Sequence, residues 1–206
     1  MFGCSDTQNF WRKFRGPTWI RRNQRHGIAY HVAKMMSRTL LAFLLLAPSI
    51  AMGQTPADSS EALFRKGMHA YNAGGYGQAV KLFSSAIEQD PENLNAYLQR
   101  GFCHSLLRDY PEAVADFTAV TTRKQDHLWA YISRGSAYEK WGKPELAIRD
   151  FNKALELDPR NQEAYNNRGW SKKSMGDAEG ACQDWKASRK LGNAEAKIIL
   201  QNNRCK

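Results

Sequence analysis

The chain has 206 residues and a formal net charge of +10 at pH 7, a balance that by itself suggests a nucleic-acid or membrane partner. That charge is concentrated near the start of the chain. Residues 1–53 carry eight basic side chains against one acidic side chain, whereas the other 153 residues carry 22 basic and 19 acidic side chains in mixed order. Because no basic stripe lies in this larger part, a nucleic-acid partner is not expected.

A short apolar run follows the basic segment. Residues 39–47 are almost entirely apolar, Arg38 precedes them, and the small-residue sequence Ala51-Met52-Gly53 comes after them. This order predicts a secretory signal peptide over residues 35–53, cleaved after Gly53, and hence a periplasmic or secreted protein. The alternative is an uncleaved segment that anchors the chain, although the run is shorter than the roughly 20 apolar residues of a transmembrane helix. Any membrane contact is expected only through this segment.

Residues 1–34 form a basic segment that is longer than the usual positive flank of a signal peptide. One explanation is that translation starts at Met35 or Met36 and that residues 1–34 are not made, or are disordered. A twin-arginine signal at Arg21-Arg22 and an organelle transit peptide stay open as alternatives. Residues 54–59 are predicted to be a short linker.

From residue 60 onward, a small set of residues recurs at a spacing of 34. A weaker copy occupies residues 60–93, and three stronger copies occupy 94–127, 128–161 and 162–195. Turn residues break each copy near its middle, so each copy is predicted to be a pair of helices. The recurring residues are Tyr97, Tyr131 and Tyr165; Arg100, Arg134 and Arg168; Gly101, Gly135 and Gly169; and Asp116, Asp150 and Asp184.

The order of these residues resembles the tetratricopeptide repeat, whose first helix carries an aromatic residue and glycine and whose second helix carries alanines and another aromatic residue. The third copy matches best. The resemblance implies an all-α, right-handed superhelical solenoid of four helix-turn-helix repeats. Residues 194–206 are predicted to add a C-terminal capping helix with Asn193 as its N-cap, because the last repeat otherwise leaves an apolar face in water.

The glycine of each first helix and an alanine of each second helix are predicted to lie where the two helices cross. A larger side chain at either place would push the helices apart. The small residues leave room for one large aromatic side chain in each repeat. These aromatic residues are Phe83, Phe117, Phe151 and Trp185.

The recurring arginine and aspartate predict structural ion pairs within each repeat, not a ligand site. The first copy has Lys66 and Leu82 in their places, so it loses the acid together with the arginine. We therefore expect a ladder of pairs, each worth about 0.2 to 1 kcal/mol if half-exposed. The expected pairs are Arg100 with Asp116, Arg134 with Asp150, and Arg168 with Asp184.

The cysteines predict one disulfide in an exported chain. Cys4 would be removed with the signal segment, and the remaining odd count predicts one bridge and one thiol. We favour a bridge between Cys182 and Cys205, with Cys103 as a small buried hydrophobic residue. No CxxC spacing indicates zinc, and the histidines lack paired ligand spacing. Neither a metal, nor a cofactor, nor an enzymatic activity is expected.

The family resemblance also implies that certain positions of each first helix face a ligand. Mapped onto this chain, they form an apolar and aromatic groove that becomes more polar toward Asn166 in the fourth repeat. The lysine, asparagine and arginine residues with which some family members hold a C-terminal carboxylate are mostly missing. The predicted groove residues are Phe64, Met68, Tyr71, Leu98, Phe102, Trp129, Ile132 and Trp170.

Such a groove favours a non-enzymatic scaffold that binds a protein or peptide, for example an apolar peptide or an amphipathic helix. Two alternatives stay open. The protein is a permanent structural component of a cell-envelope assembly, or its aromatic side chains only pack against neighbouring repeats, residues 54–59 or a second copy of the chain. The sequence predicts neither the partner nor the oligomeric state.

Overall fold

The structure, a computed structural model, describes residues 56–205. The predicted signal peptide, its cleavage site and the upstream basic segment lie outside these residues. Within them no helix is long and apolar enough to span a bilayer. The helices of this part are α1 (Pro56–Asn72), α2 (Tyr76–Gln89), α3 (Leu94–Leu107), α4 (Tyr110–Arg123), α5 (Leu128–Lys140), α6 (Pro144–Leu157), α7 (Gln162–Ser174), α8 (Ala178–Lys190) and α9 (Ala196–Asn202).

The helices pack in chain order. Each odd-numbered helix from α1 to α7 pairs with the helix that follows it, and the second helix of each pair packs against the first helix of the next pair. The first helices α1, α3, α5 and α7 also contact one another along one side. This arrangement confirms the all-α, right-handed superhelical solenoid of four repeats, with α9 packed on α8 as the cap.

Each helix pair meets where a glycine faces an aromatic ring. A Cβ atom added to Gly101 would lie 2.8 Å from a ring carbon of Phe117, and the same distance separates Gly135 from Phe151. Both rings are 0% exposed. The glycines are therefore required because the rings occupy the space that a side chain would need. Gly67 with Phe83 and Gly169 with Trp185 repeat this contact.

The two ends of the solenoid differ from the predicted boundaries. Helix α1 begins at Pro56, so residues 56–59 are helical and not linker. Proline is favoured at the first position of a helix because its missing N–H has no intrahelical partner there. Helix α9 begins at Ala196, and Asn193 is not its N-cap. The Asn193 amide donates to Ser188 Oγ (3.0 Å) and its oxygen accepts from the Glu195 N–H (3.0 Å), so it holds the preceding turn.

Arg108 occupies a turn position at which the other three repeats have glycine. Its φ is 68°, against 80° at Gly74, 76° at Gly142 and 83° at Gly176. A side chain in this left-handed region costs about 1 to 2 kcal/mol.

We expect Arg108→Gly to raise the free energy of unfolding by about 0.5 to 1 kcal/mol, measured by urea denaturation. This gain is smaller than the backbone cost because glycine also has greater conformational freedom in the unfolded chain. Gly142→Arg is the matched control and should be destabilising; a loss of stability in Arg108→Gly would contradict this account.

His127 takes the place of an asparagine at the start of a repeat. The side chains of Asn93 and Asn161 accept hydrogen bonds from the third N–H of α3 and α7, and His127 Nδ1 accepts from the Ala130 N–H at 3.1 Å. Burial, assisted by the charge of Lys124, lowers the pKa of His127. The unprotonated ring is the form that caps the helix.

The lowered pKa of His127 predicts a loss of stability in acid. The unfolded chain binds the proton more readily, so stability falls as the pH drops below the unfolded histidine pKa of about 6.5. His127→Asn keeps a capping oxygen and should lose less stability between pH 7.5 and 5, measured by urea denaturation at both values. The other described histidines are common to both proteins, so they cancel. An equal loss in the two proteins would exclude His127 as the source.

A disulfide joins Cys182 of α8 to Cys205, with 5.5 Å between the Cα atoms, and Cys103 is a buried free thiol. The bridge holds the C-terminal segment where Leu200 packs against Trp185 and Ala181. It closes a loop with a sequence separation of 23.

Removing the bridge with Cys182→Ser and Cys205→Ser should cost about 3 kcal/mol, mainly because the unfolded chain gains freedom. Chemical denaturation of both proteins with and without reductant measures this loss. Reductant should weaken the native chain to the level of the double variant and leave the variant unchanged. A native midpoint that does not respond to reductant would contradict the prediction.

Candidate functional site

The candidate site is the groove formed by the first helices of the repeats, α1, α3, α5 and α7. Between α5 and α7, the Asn167 side-chain amide donates to Ser136 Oγ at 3.4 Å. Consecutive first helices touch one another, so their outward side chains form one continuous surface. We call this surface the first-helix groove and define it by the eight residues predicted from the sequence.

The structure removes two of these residues from the accessible surface. Ile132 is 1% exposed and packs in a core cluster with Phe151, and Phe102 is 7% exposed. The expectation that these two side chains meet a ligand is therefore wrong for this conformation. The reason is that the second helix of the same repeat covers them: Ile132 packs in a cluster with Phe151, and the Phe102 ring lies 5.3 Å from the Phe117 ring between centroids.

The other six residues keep accessible surface. Trp170 is 38% exposed. Leu98 and Trp129 are half-buried, as are three residues at the start of the groove that pack beside Phe83. Those three residues are Phe64, Met68 and Tyr71.

Aromatic rings of the groove rest on the aromatic core. The ring centroids of Phe64 and Phe83 are 5.6 Å apart. Those of Trp170 and Trp185 are 5.0 Å apart, in an edge-to-face arrangement. Contacts of this kind fix the orientation of a ring, so Trp170 presents a partly exposed surface on a rigid base.

The groove becomes polar beside Trp170. Asn166 Oδ1 is buried and has no hydrogen-bond partner within residues 56–205, although the backbone oxygen of Asn166 accepts from Trp185 Nε1 at 3.2 Å. A buried acceptor without a donor costs about 1 to 3 kcal/mol. The fourth repeat therefore places an unsatisfied acceptor near an exposed indole ring.

Two titratable groups packed near Phe83, the Cys103 thiol and the Tyr71 hydroxyl, are both protonated. Burial is the main cause that raises the pKa of the Cys103 thiol to about 12, and burial likewise raises the pKa of Tyr71. Cys103 is 0% exposed and lies in the same cluster as Phe83. Both groups are therefore neutral at ordinary pH, and the thiolate that nucleophilic chemistry needs is absent at Cys103.

The arginines and aspartates lie away from the groove, between the two helices of each repeat. In the third repeat, Arg134 Nε and Nη2 donate to the two carboxylate oxygens of Asp150, at 2.8 and 2.7 Å. Arg100 with Asp116 and Arg168 with Asp184 form the same two-bond pair. The aspartates are only 3 to 5% exposed, so these pairs are more buried than the sequence interpretation assumed.

Each of these arginines also contacts the preceding repeat, which the sequence analysis did not identify. The remaining guanidinium nitrogen donates to Ser84 from Arg100 (2.9 Å) and to Asn152 from Arg168 (2.7 Å). Arg134 donates in the same way to Thr118 and Thr121. The positions 84, 118 and 152 also follow the spacing of 34, but their residues share only the ability to accept a hydrogen bond.

No group of three or more His, Cys, Asp or Glu side chains that could hold a metal ion occurs among residues 56–205. His127 belongs to a helix cap, and His104 lies 3.5 Å from Asp109. The aspartates at 116, 150 and 184 are bound to arginine. The arrangement of the described part is suited to contact with another molecule through its apolar groove.

Comparisons with known proteins agree with this fold. Tetratricopeptide repeat models match residues 64–127, 128–161 and 151–183. No curated protein sequence matches the chain.

Similar solved structures include MamA from Desulfovibrio magneticus RS-1, with 24% identity, a TM-score of 0.63, and coverage of 66% of this chain and 77% of that one. The Arabidopsis OM64 TPR domain has 28% identity, a TM-score of 0.55, and coverage of 57% and 98%. The first TPR domain of Spaghetti (RPAP3), bound to the HSP90 peptide SRMEEVD, has 24% identity, a TM-score of 0.57, and coverage of 60% and 98%.

The matched repeats account for residues 64–183, and the glycine-to-aromatic contact recurs in all four helix pairs. The fold is a scaffold suited to protein–protein interaction, and proteins of this fold are typically not catalytic. The chain belongs to the tetratricopeptide repeat family.

Proposed function

We propose that the chain is an exported, non-enzymatic scaffold that binds an apolar peptide or an amphipathic helix of a partner protein in the first-helix groove. The proposal rests on the fourth repeat, where the Trp170 side chain is exposed and the side-chain oxygen of Asn166, one turn earlier on the same helix, is buried without a hydrogen-bond donor among residues 56–205. An indole on a rigid base provides an apolar anchor, and a peptide N–H would satisfy the asparagine oxygen once the Asn166 side chain turns toward the groove.

One structural neighbour is itself described as bound to a peptide. That peptide has two glutamates and ends in aspartate, whereas the groove proposed here is apolar over most of its length. We therefore infer a partner segment with apolar side chains on one face and a free backbone or side-chain donor at the fourth repeat.

Selection from a displayed peptide library, with the full chain as bait, tests the site. The dissociation constants of the selected peptides are then measured for the native chain and for two variants. Trp170→Ala should weaken binding by about tenfold or more, the effect of removing a central aromatic anchor. Trp141→Ala is the matched control, because Trp141 is 37% exposed but follows α5 at a turn and stacks on Tyr138 outside the groove.

If no peptide is selected, or if both tryptophan variants bind equally well, the groove is only a packing surface. Replacing Asn166 by leucine provides a second test, in which both peptide affinity and the free energy of unfolding are measured. The Asn166→Leu variant should bind peptides less well. Its stability should rise or stay unchanged, because a buried acceptor without a hydrogen-bond donor has been removed. Weaker binding together with a large loss of stability would instead assign Asn166 to the fold.

The export part of the proposal rests on the predicted signal peptide and is supported by the disulfide between Cys182 and Cys205, since disulfides persist in oxidising compartments. Cleavage after Gly53 predicts a mature chain that begins at Gln54. N-terminal sequencing of the protein from the envelope and medium fractions tests this. A chain that is recovered inside the cell and still begins at Met1, Met35 or Met36 would contradict export by cleavage.

A further inference from the structure

A cavity of about 250 Å³ lies between α8 and the capping helix α9, at the end of the solenoid and apart from the first-helix groove. Cations line it from both helices. Lys186 and Arg189 lie one turn apart on α8, and Lys197 projects from the first turn of α9. Its other lining residues are Leu200, Gln201 and Cys205.

The charged residues that line this cavity are all basic. No acidic residue lines it. Among the described residues, no acidic side chain is paired with Arg189 or Lys197. Asp184, the buried acid of α8, is bound to Arg168 and Lys172 at 2.6 and 2.9 Å, so its charge is already compensated within the fold.

The cavity is a consequence of how the cap is held. Leu200 packs against the Trp185 cluster, and the Cys182–Cys205 bridge fixes the chain after α9. These contacts fix the position of α9 against α8. The cations of the two helices therefore face one shared space instead of separate patches of solvent.

We propose that this cavity binds a phosphate or phosphomonoester dianion. Two cations without an acidic partner among the described residues, Arg189 and Lys197, and the side-chain amide of Gln201 provide more donors than a single carboxylate requires, and the guanidinium of Arg189 suits the geometry of phosphate oxygens. The volume is below the range of about 300 to 1,000 Å³ that is typical for drug-sized ligands, so a small anionic group fits better than a larger molecule.

The test uses the full chain, labelled with nitrogen-15, and inorganic phosphate at pH 7.5 as the probe. Phosphate should shift the amide signals of Lys197, Leu200 and Gln201, and chloride at equal ionic strength should not. Lys197→Gln should weaken the apparent affinity by about tenfold, since a charge-assisted hydrogen bond is lost. Lys190→Gln is the matched control, because it removes an equal charge from the exposed surface of α8 without touching the cavity lining.

A second arm separates a free anion from a lipid-borne one. Vesicles of phosphatidylcholine with phosphatidic acid present the phosphomonoester on a surface, and vesicles of phosphatidylcholine alone lack it. Binding of either phosphate source that depends on Lys197 but not on Lys190 supports the site and identifies the source. The proposal fails if neither source binds, or if Lys197→Gln and Lys190→Gln weaken binding equally, because the attraction is then a property of net charge only.

Discussion

Replacing Phe117 by alanine is expected to lower the free energy of unfolding by about 3 to 5 kcal/mol, the usual loss when a core aromatic site is emptied. The ring is 0% exposed, lies 5.3 Å from the Phe102 ring between centroids, and fills the space over Gly101. Urea denaturation of the full chain, followed by circular dichroism, measures the loss. In a solenoid each repeat is stabilised by its neighbours, so the effect should spread beyond the second repeat.

A double-mutant cycle distinguishes loss of this particular contact from a general weakening. Gly101→Ala alone should be destabilising by about 1 to 3 kcal/mol, because its Cβ atom would lie 2.8 Å from the Phe117 ring. In a chain that already carries Phe117→Ala, the added methyl group enters the vacated space and should cost little or nothing. Additive losses, or a loss below about 1 kcal/mol for Phe117→Ala, would contradict the packing described here.

The sequence predicted the parts of this fold that rest on residue identity at a fixed spacing. Gly101 and Phe117 are recognisable because each position tolerates few residue types, and Arg134 with Asp150 because the first repeat lost both members of the pair. The solenoid and its helix pairs were therefore predicted correctly. The third contact of each arginine was missed, since Ser84 and its counterparts are different residues with one shared hydrogen-bonding role.

The groove was harder to predict because exposure depends on how closely the second helix of each repeat packs against the first. Ile132 occupies a family ligand position, yet the packing around Phe151 leaves it 1% exposed. Asn166 shows the opposite: its residue type looked merely polar, and only the structure places its oxygen in a buried position without a donor. A periodic pattern indicates which side of a helix a residue lies on, whereas its accessibility depends on the tertiary packing of that side against the other helix of the repeat.

Arg134→Ala is expected to cost about 3 to 5 kcal/mol, the loss that follows when one member of a buried ion pair is removed. The carboxylate of Asp150 would remain 5% exposed without its two guanidinium donors, and the link to Thr118 and Thr121 of the second repeat would also be broken. Urea denaturation measures this loss. Arg149→Ala on the exposed side of α6 is the control and should change stability by no more than about 0.5 kcal/mol.

The pH dependence of the Arg134→Ala variant reveals the cause of its loss. Burial already raises the pKa of Asp150 although Arg134 opposes the change, so removal of Arg134 should raise this pKa further. A carboxyl group whose folded pKa lies above its unfolded value of about 3.9 binds more protons in the folded state, and folding is then favoured as the pH falls toward that value. The difference in the free energy of unfolding between the variant and the native chain should therefore become smaller in acid. It should also become smaller when Asp150→Ala is added to the variant, because the unpaired carboxylate is then removed. The account would be contradicted if Arg134→Ala lost no more stability than Arg149→Ala and if that loss did not change with pH. Solvent would then screen these ion pairs, and each arginine would contribute only about 0.2 to 1 kcal/mol.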